Sequence, residues 1–114
     1  MVFNASVYYV IRYYVRDNSV TDPTLLALVS LADRDKHGYA IMEDIQRFAG
    51  VRLGPGTLYG AISRLQERGW IRPVDADDRR QPYRITGAGR EYLEEQVVKL
   101  DRVLKTASKR LKRA

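Results

Sequence analysis

Every other part of the chain can be placed from one segment, Gly54-Pro55-Gly56-Thr57-Leu58-Tyr59-Gly60-Ala61-Ile62-Ser63-Arg64-Leu65-Gln66-Glu67-Arg68-Gly69. Gly54 is a tolerated N-cap, and Pro55 suits a first helical position, where a missing N–H costs nothing. Gly69 supplies the stop. Leu58, Ile62 and Leu65 recur at helical spacing, with Ala61 beside them, and define an inner face. The outer face holds Gly56, Tyr59, Gly60, Ser63 and Arg64. Glycine weakens a helix by roughly 0.5–1 kcal/mol relative to alanine. Two glycines on one outer face therefore point to an object that must approach the backbone closely. A DNA phosphate backbone or a major-groove edge is such an object. A plain surface helix of poor propensity is the alternative.

On the N-terminal side, Ile41, Ile45 and Phe48 are expected to face inward on a helix over about 39–48, with Glu43, Asp44, Gln46 and Arg47 outward and Gly50 closing it. Val51-Arg52-Leu53 links it to the central helix. Two helices joined by a glycine-containing turn, the second with a sparse outer face, form a helix-turn-helix. Further back, Asp22-Pro23 opens a helix whose Leu25, Leu26, Leu28, Val29 and Leu31 make it apolar most of the way round, so it belongs to the core. Asp33-Arg34-Asp35-Lys36-His37-Gly38 reads as a polar loop. On the C-terminal side the period changes to two. Trp70–Val74 and Pro82–Thr86 read as paired strands around the polar tip 75–81, in which Asp77 and Asp78 are expected to cap the turn. A β-hairpin directly after a helix-turn-helix is a wing.

Thr86 then caps a last helix. Its residues Leu93, Val97, Leu100, Leu104, Ala107 and Leu111 are spaced 4, 3, 4, 3, 4, a heptad seam that must be buried. Packing back on its own small domain could cover part of it; a partner helix covers it better, which predicts homodimerisation. The basic run Lys105, Lys109, Arg110, Lys112 and Arg113 is read as a solvated terminus or a loose attraction to DNA phosphate. Residues 1–20 are dense in tyrosine and β-branched residues. They fit a strand on propensity and a helix on spacing. Helical neighbours favour a helical arm buried against a second copy, with a partly ordered extension as the alternative.

A length of 114 residues suits a single domain. The net charge of +6 favours anionic partners. With no cysteine, disulfides and thiolate metal sites are excluded, and with His37 the only histidine a multi-histidine metal site is impossible. No cofactor is expected. No apolar run reaches the ~20 residues of a membrane span, and the N-terminus lacks signal-peptide order, so a cytoplasmic protein without membrane association is expected.

Three blocks resemble the PadR-like transcriptional regulators. Pro55-Gly56-Thr57-Leu58-Tyr59, followed by Leu65 and Gly69-Trp70-Ile71, resembles their P-G-T-L-Y…L…G-x-I signature. His37-Gly38-Tyr39-Ala40-Ile41 resembles the H-G-Y-x-I that opens their second helix. Arg79-Arg80-Gln81-Pro82-Tyr83-Arg84-Ile85-Thr86-Gly87-Ala88-Gly89 resembles their wing and the start of the following helix. The blocks occur in family order over about residues 22–95. The resemblance implies a homodimeric winged helix-turn-helix that binds a two-fold DNA operator, usually as a repressor released by a small ligand.

The expected fold class is mainly α with a small β-hairpin. It comprises an N-terminal arm (1–20), a winged helix-turn-helix domain (21–86) and a C-terminal dimerisation helix (87–114). The expected DNA-facing residues are Lys36, Tyr39, Gly56, Thr57, Tyr59, Gly60, Ser63, Arg64, Arg79 and Arg80. Arg64 can pair with guanine, hold a phosphate, or form an ion pair with Glu67. Tyr39 can meet a phosphate or serve as a core aromatic. Lys36 is read first as a solvated charge and second as a phosphate contact. His37 is read as a cap or packing residue, and Trp70 as core. A dimer interface lined by Tyr, Leu and Trp could hold a flat apolar effector. Competing readings are a MarR-like regulator and a protein-interaction module. An enzyme is the weakest, since Glu94 and Glu95 have no nucleophile or metal partner in view.

Overall fold

A computed structural model of the chain describes residues 22–77 and 79–113. The helical, dimer-associated arm expected at 1–20 and the expected capping role of Asp78 lie outside the described residues. Helix α1 (Pro23–Leu31) starts as its sequence requires: Asp22 accepts the Thr24 N–H at 3.1 Å, and Pro23 takes the first position. Leu26, Ala27, Leu28, Ser30 and Leu31 are buried, and only Val29 emerges on the far side. Helices α2 (Gly38–Ala49) and α3 (Pro55–Glu67) pack on α1 and complete the helix-turn-helix. Gly50 ends α2 in the left-handed conformation, φ +67°, as its C-terminal position suggests.

The inner face of α3 is the one expected: Leu58, Ala61, Ile62 and Leu65 are all buried. Each fully buried leucine or isoleucine contributes about 1.5–3 kcal/mol. Three of them outweigh the two exposed-face glycines. Ile41 and Ile45 of α2 are buried, but Phe48 is 46% exposed, contrary to expectation. The last turn of α2 is exposed throughout and overshoots the core.

The hairpin is in fact part of a three-stranded sheet. Strands β2 (Ile71–Pro73) and β3 (Pro82–Ile85) pair antiparallel with Ile71 opposite Ile85, and a two-residue strand β1 (Lys36–His37) adds to the other edge of β3. The order is β1-β3-β2. Alternation turns Ile71, Tyr83 and Ile85 into the core and leaves Arg72 and Arg84 exposed.

Helix α4 (Gly87–Arg113) is locked to the wing at Thr86. The Thr86 N–H donates to the Trp70 carbonyl at 2.9 Å, and its hydroxyl donates to the Gly69 carbonyl at 2.6 Å and accepts the Gly89 N–H at 3.1 Å. The helix then runs about 40 Å at 1.5 Å per residue, and the molecule extends 54 Å along its longest axis. Its first turns pack on the body: Leu93 joins the core, and Tyr92 stacks on Trp70 with ring centroids 3.7 Å apart. Leu93 is covered by its own domain, the partial cover that the sequence left open for the seam. Beyond it the described residues leave the seam exposed. Val97, Leu104 and Leu111 are 53%, 65% and 37% exposed, Ala107 is exposed and Leu100 half-buried.

Candidate nucleic-acid interface

The outer face of α3 is bare. Thr57, Tyr59, Ser63 and Arg64 are exposed, and Tyr59 is half so at 50%. A Cβ placed on Gly56 would meet no atom within 4 Å, and one on Gly60 would meet only Nη1 of Arg64, at the ordinary contact distance of 3.6 Å. The fold therefore has room for side chains at both positions. Their cost in helix stability has no return inside the molecule. Among the described residues Arg64 makes no ion pair with Glu67, so its guanidinium is available on this face. Tyr39 is 61% exposed at the start of α2, which rules out the core-aromatic reading.

Two residues of the second family-like block organise the junction between helices and wing. A Cβ on Gly38 would lie 2.4 Å from the Tyr59 hydroxyl oxygen, so the far end of the Tyr59 ring lies on the Gly38 backbone and would have to swing aside for a side chain there. The glycine thereby leaves room for the aromatic of α3 to rest against the start of α2. Burial pushes the buried Tyr83 hydroxyl above its usual pKa, with the neighbouring Tyr59 adding to the effect. His37 is the N-cap of α2, its Nδ1 accepting the Ala40 N–H at 3.3 Å, which bears out the capping role read from sequence.

Lys36 corrects the expectation. Its side chain is only 3% exposed. The ammonium donates to the Ser30 carbonyl at the end of α1 and to Asp33, and lies 3.8 Å from Asp44. Asp44 in turn accepts from the Ser30 hydroxyl at 2.8 Å. Lys36 is neither a solvated charge nor placed to meet a phosphate; it ties the end of α1 to α2. Its hydrogen bond holds the Asp33 carboxyl below the usual carboxylate range. On the sheet's outer side, Arg84 makes a two-pronged contact to Asp35 at 3.0 and 2.7 Å, which likewise lowers the Asp35 carboxyl. That pairing relieves the like charges of Arg84 and Arg72, which are direct cross-strand neighbours.

Arg79 and Arg80 are exposed at the wing tip, and Arg80 Nη1 reaches to 3.1 Å from His37 Nε2. Trp70 is half-buried, with Tyr92 stacked on it and the Arg68 guanidinium 5.1 Å over its ring, so it is engaged within its own chain. Sequence reading passed over Arg52. It borders a groove of about 440 Å³ between α2 and the start of α3, together with Tyr39, Met42 and Pro55. Its position in the short linker before a proline-led helix was the available signal. Among the described residues no cluster of three or more acidic, histidine or cysteine side chains could hold a metal ion, and no helix is long and apolar enough to cross a membrane.

A helix-turn-helix whose second helix leads straight into a sheet with an arginine-bearing tip is a winged helix, the architecture of a class of transcriptional regulators. The sequence pattern of the transcriptional regulator PadR-like family matches residues 25–95, and the chain belongs to that family. It is similar to an uncharacterized 37.1 kDa protein in transposon TN4556 of Streptomyces fradiae, with 44% identity over 82 residues, 72% of this chain and 24% of that protein. It is also similar to the transcriptional regulator Rv3488 of Mycobacterium tuberculosis, with 41% identity over 68 residues, 56% of this chain and 62% of that protein. The chain thus spans about a quarter of the first relative and under two thirds of the second. Among solved structures, a transcriptional regulator from Clostridium thermocellum is 26% identical, with a TM-score of 0.67 over 95% of this chain and 97% of that one.

Proposed function

We propose that the protein reads double-stranded DNA with α3 in the major groove and the wing beside it, as a homodimeric repressor acting on a two-fold operator. The observation that carries this reading is the outer face of α3, where Gly56 and Gly60 leave open space that the fold itself does not use. Thr57, Tyr59, Ser63 and Arg64 supply hydrogen-bonding groups around that space. Arg64 is the base-reading candidate, with guanine O6 and N7 as its partners. Tyr39 contacts phosphate and fixes register. Arg79 and Arg80 reach the neighbouring backbone or minor groove.

The second copy meets the first along α4. Among the described residues of one chain, Val97, Leu104 and Leu111 leave an apolar stripe exposed. The charges on this helix favour an antiparallel partner. Its first half carries Glu91, Glu94 and Glu95, and its last turns carry Lys109, Arg110, Lys112 and Arg113. Side by side and parallel, the basic ends would repel. Antiparallel about the midpoint of the 4-3-4-3-4 spacing, each acidic cluster faces a basic one, and Val97 meets Ala107. Selection of bound duplexes from a random pool tests the whole reading. The expected result is a two-fold site with half-sites about 10–10.5 bp apart, or a multiple of that. Salt-insensitive or undetectable binding to duplex DNA at low salt would leave the protein-interaction reading in its place.

A further inference from the structure

His37 faces two hydrogen-bond donors at once. The Ala40 N–H points at Nδ1 from 3.3 Å, and a guanidinium nitrogen of Arg80 lies 3.1 Å from Nε2. A neutral imidazole has one acceptor nitrogen and one N–H. When Nδ1 accepts from Ala40, Nε2 carries the proton and opposes the Arg80 donor. When Nε2 accepts from Arg80, Nδ1 carries the proton and the α2 cap is lost. An imidazolium could serve neither. The two contacts therefore cannot both be hydrogen bonds at one time, although the backbone holds both partners in reach. The juxtaposition is built in by the fold: His37 ends β1 and begins α2, and its strand partner is Pro82, two residues from Arg80.

We propose that His37 is a positioning residue that alternately caps α2 and holds the wing arginine Arg80, so that transfer of Arg80 to a DNA phosphate releases the ring to complete the cap. In the free protein the ring restrains Arg80 near the start of α2. On DNA the guanidinium has a better acceptor in the phosphate, Nδ1 becomes the acceptor full-time, and the first turn of α2 tightens beside Tyr39. Docking of the wing is in this way felt at the helix that sets phosphate register. The inference rests on the DNA-binding reading above.

The chain has one histidine, so the imaging of a single ring is unambiguous. Long-range proton–nitrogen spectra of the 15N-labelled protein distinguish an acceptor ring nitrogen from a protonated one. They are recorded above the titration of the ring, whose midpoint is located by the same spectra. In free wild type both tautomers are expected to contribute. Arg80→Ala in the free protein should shift the ring to the Nε2–H form. Random-sequence duplex DNA added to wild type at low salt should shift it the same way and to the same position. Identical spectra for all three samples would overturn the proposal. So would a shift with Arg80→Ala but none with bound DNA, since Arg80 would then stay on the ring in the complex. Anisotropy on the same samples separates the two levels: no binding of the duplex sinks the DNA reading itself, whereas binding without a tautomer shift sinks only the role of His37.

Discussion

Gly87 and Gly89 lie two residues apart in the first turn of α4, and the structure assigns their replacement by alanine opposite signs. Alanine in a helix is ordinarily more favourable than glycine by up to about 1 kcal/mol, partly because it restricts the unfolded chain. At Gly87 nothing lies within 4 Å of the new methyl, so a gain of a few tenths of a kcal/mol up to ~1 is expected. At Gly89 the methyl would sit 2.0 Å from the Trp70 carbonyl oxygen, 2.9 Å from its carbon and 3.0 Å from Ile85 Cγ1. The obstacle is backbone, and that carbonyl already accepts the Thr86 N–H. Relief requires α4 to move off the wing, stretching the Thr86 bonds and disturbing Leu93 and the Trp70–Tyr92 stack. Overpacking typically costs 1–3 kcal/mol, and an immovable neighbour places Gly89→Ala at the upper end, about 2–3. For a domain of this size that lowers Tm by roughly 8–12 °C. Circular dichroism melts of both variants and wild type, at one protein concentration so that self-association is held constant, measure the difference. A Gly89→Ala protein as stable as Gly87→Ala would refute the close approach of α4 to β2 on which the placement of the wing depends.

Lys36→Met is expected to lose about 1–3 kcal/mol in urea unfolding, because the Ser30 carbonyl loses a buried donor and Asp44 its neighbouring positive charge; the salt dependence of DNA binding should not change, and a fall in slope would return Lys36 to the phosphate contacts. Arg79→Ala with Arg80→Ala should instead reduce the log–log salt slope by about 0.9 per phosphate contact removed, with an unaltered slope taking the wing off the DNA. Arg64→Ala should weaken a selected operator by about 1–3 kcal/mol and relax one base position; an equal loss on random duplex would assign Arg64 to phosphate. Since the chain has no cysteine, Val97→Cys and Ala107→Cys chains mixed under mild oxidation should cross-link to each other and not to themselves, and self-linked Val97→Cys dimers would show a parallel pair.

The parts of the fold legible in the sequence were those written in local rules. Asp22-Pro23, Gly50, Pro55 and Thr86 each mark an end through its own backbone chemistry. The 3.6-residue spacing of Leu58, Ile62 and Leu65 needs no knowledge of what covers it. What escaped depends on contacts between distant segments. Lys36 sits in a stretch of charges that reads as solvated, and its burial arises because the end of α1 and the side of α2 bring Ser30, Asp33 and Asp44 around it. Strand β1 has two residues, too few to show any period. Leu93 continues the heptad spacing without a break, since the helix is continuous, yet the domain body stops covering that helix one turn later.

The glycines show the same limit and lead to the functional point. In the sequence Gly38, Gly56, Gly60 and Gly89 are alike, each inside or at the start of a helix, and all but Gly60 in a family-like block. In space they fall into two kinds. Gly38 and Gly89 have walls: the Tyr59 ring lies on one, and the Trp70 carbonyl lies on the other. The Gly89 contact and the Thr86 bonds lock α4 to the sheet, and α2 and α3 share the same core, so that α3 and the wing strands form one head. Gly56 and Gly60 have no walls of that kind, and both lie on the one face of α3 that this head leaves uncovered. A rigid frame around an uncovered backbone suits recognition of a rigid, regular object, because little ordering remains to be done when the two surfaces meet. Substituting alanine at Gly56 or Gly60 should therefore stabilise the fold by up to about 1 kcal/mol while weakening binding, the opposite of Gly89 in its effect on folding.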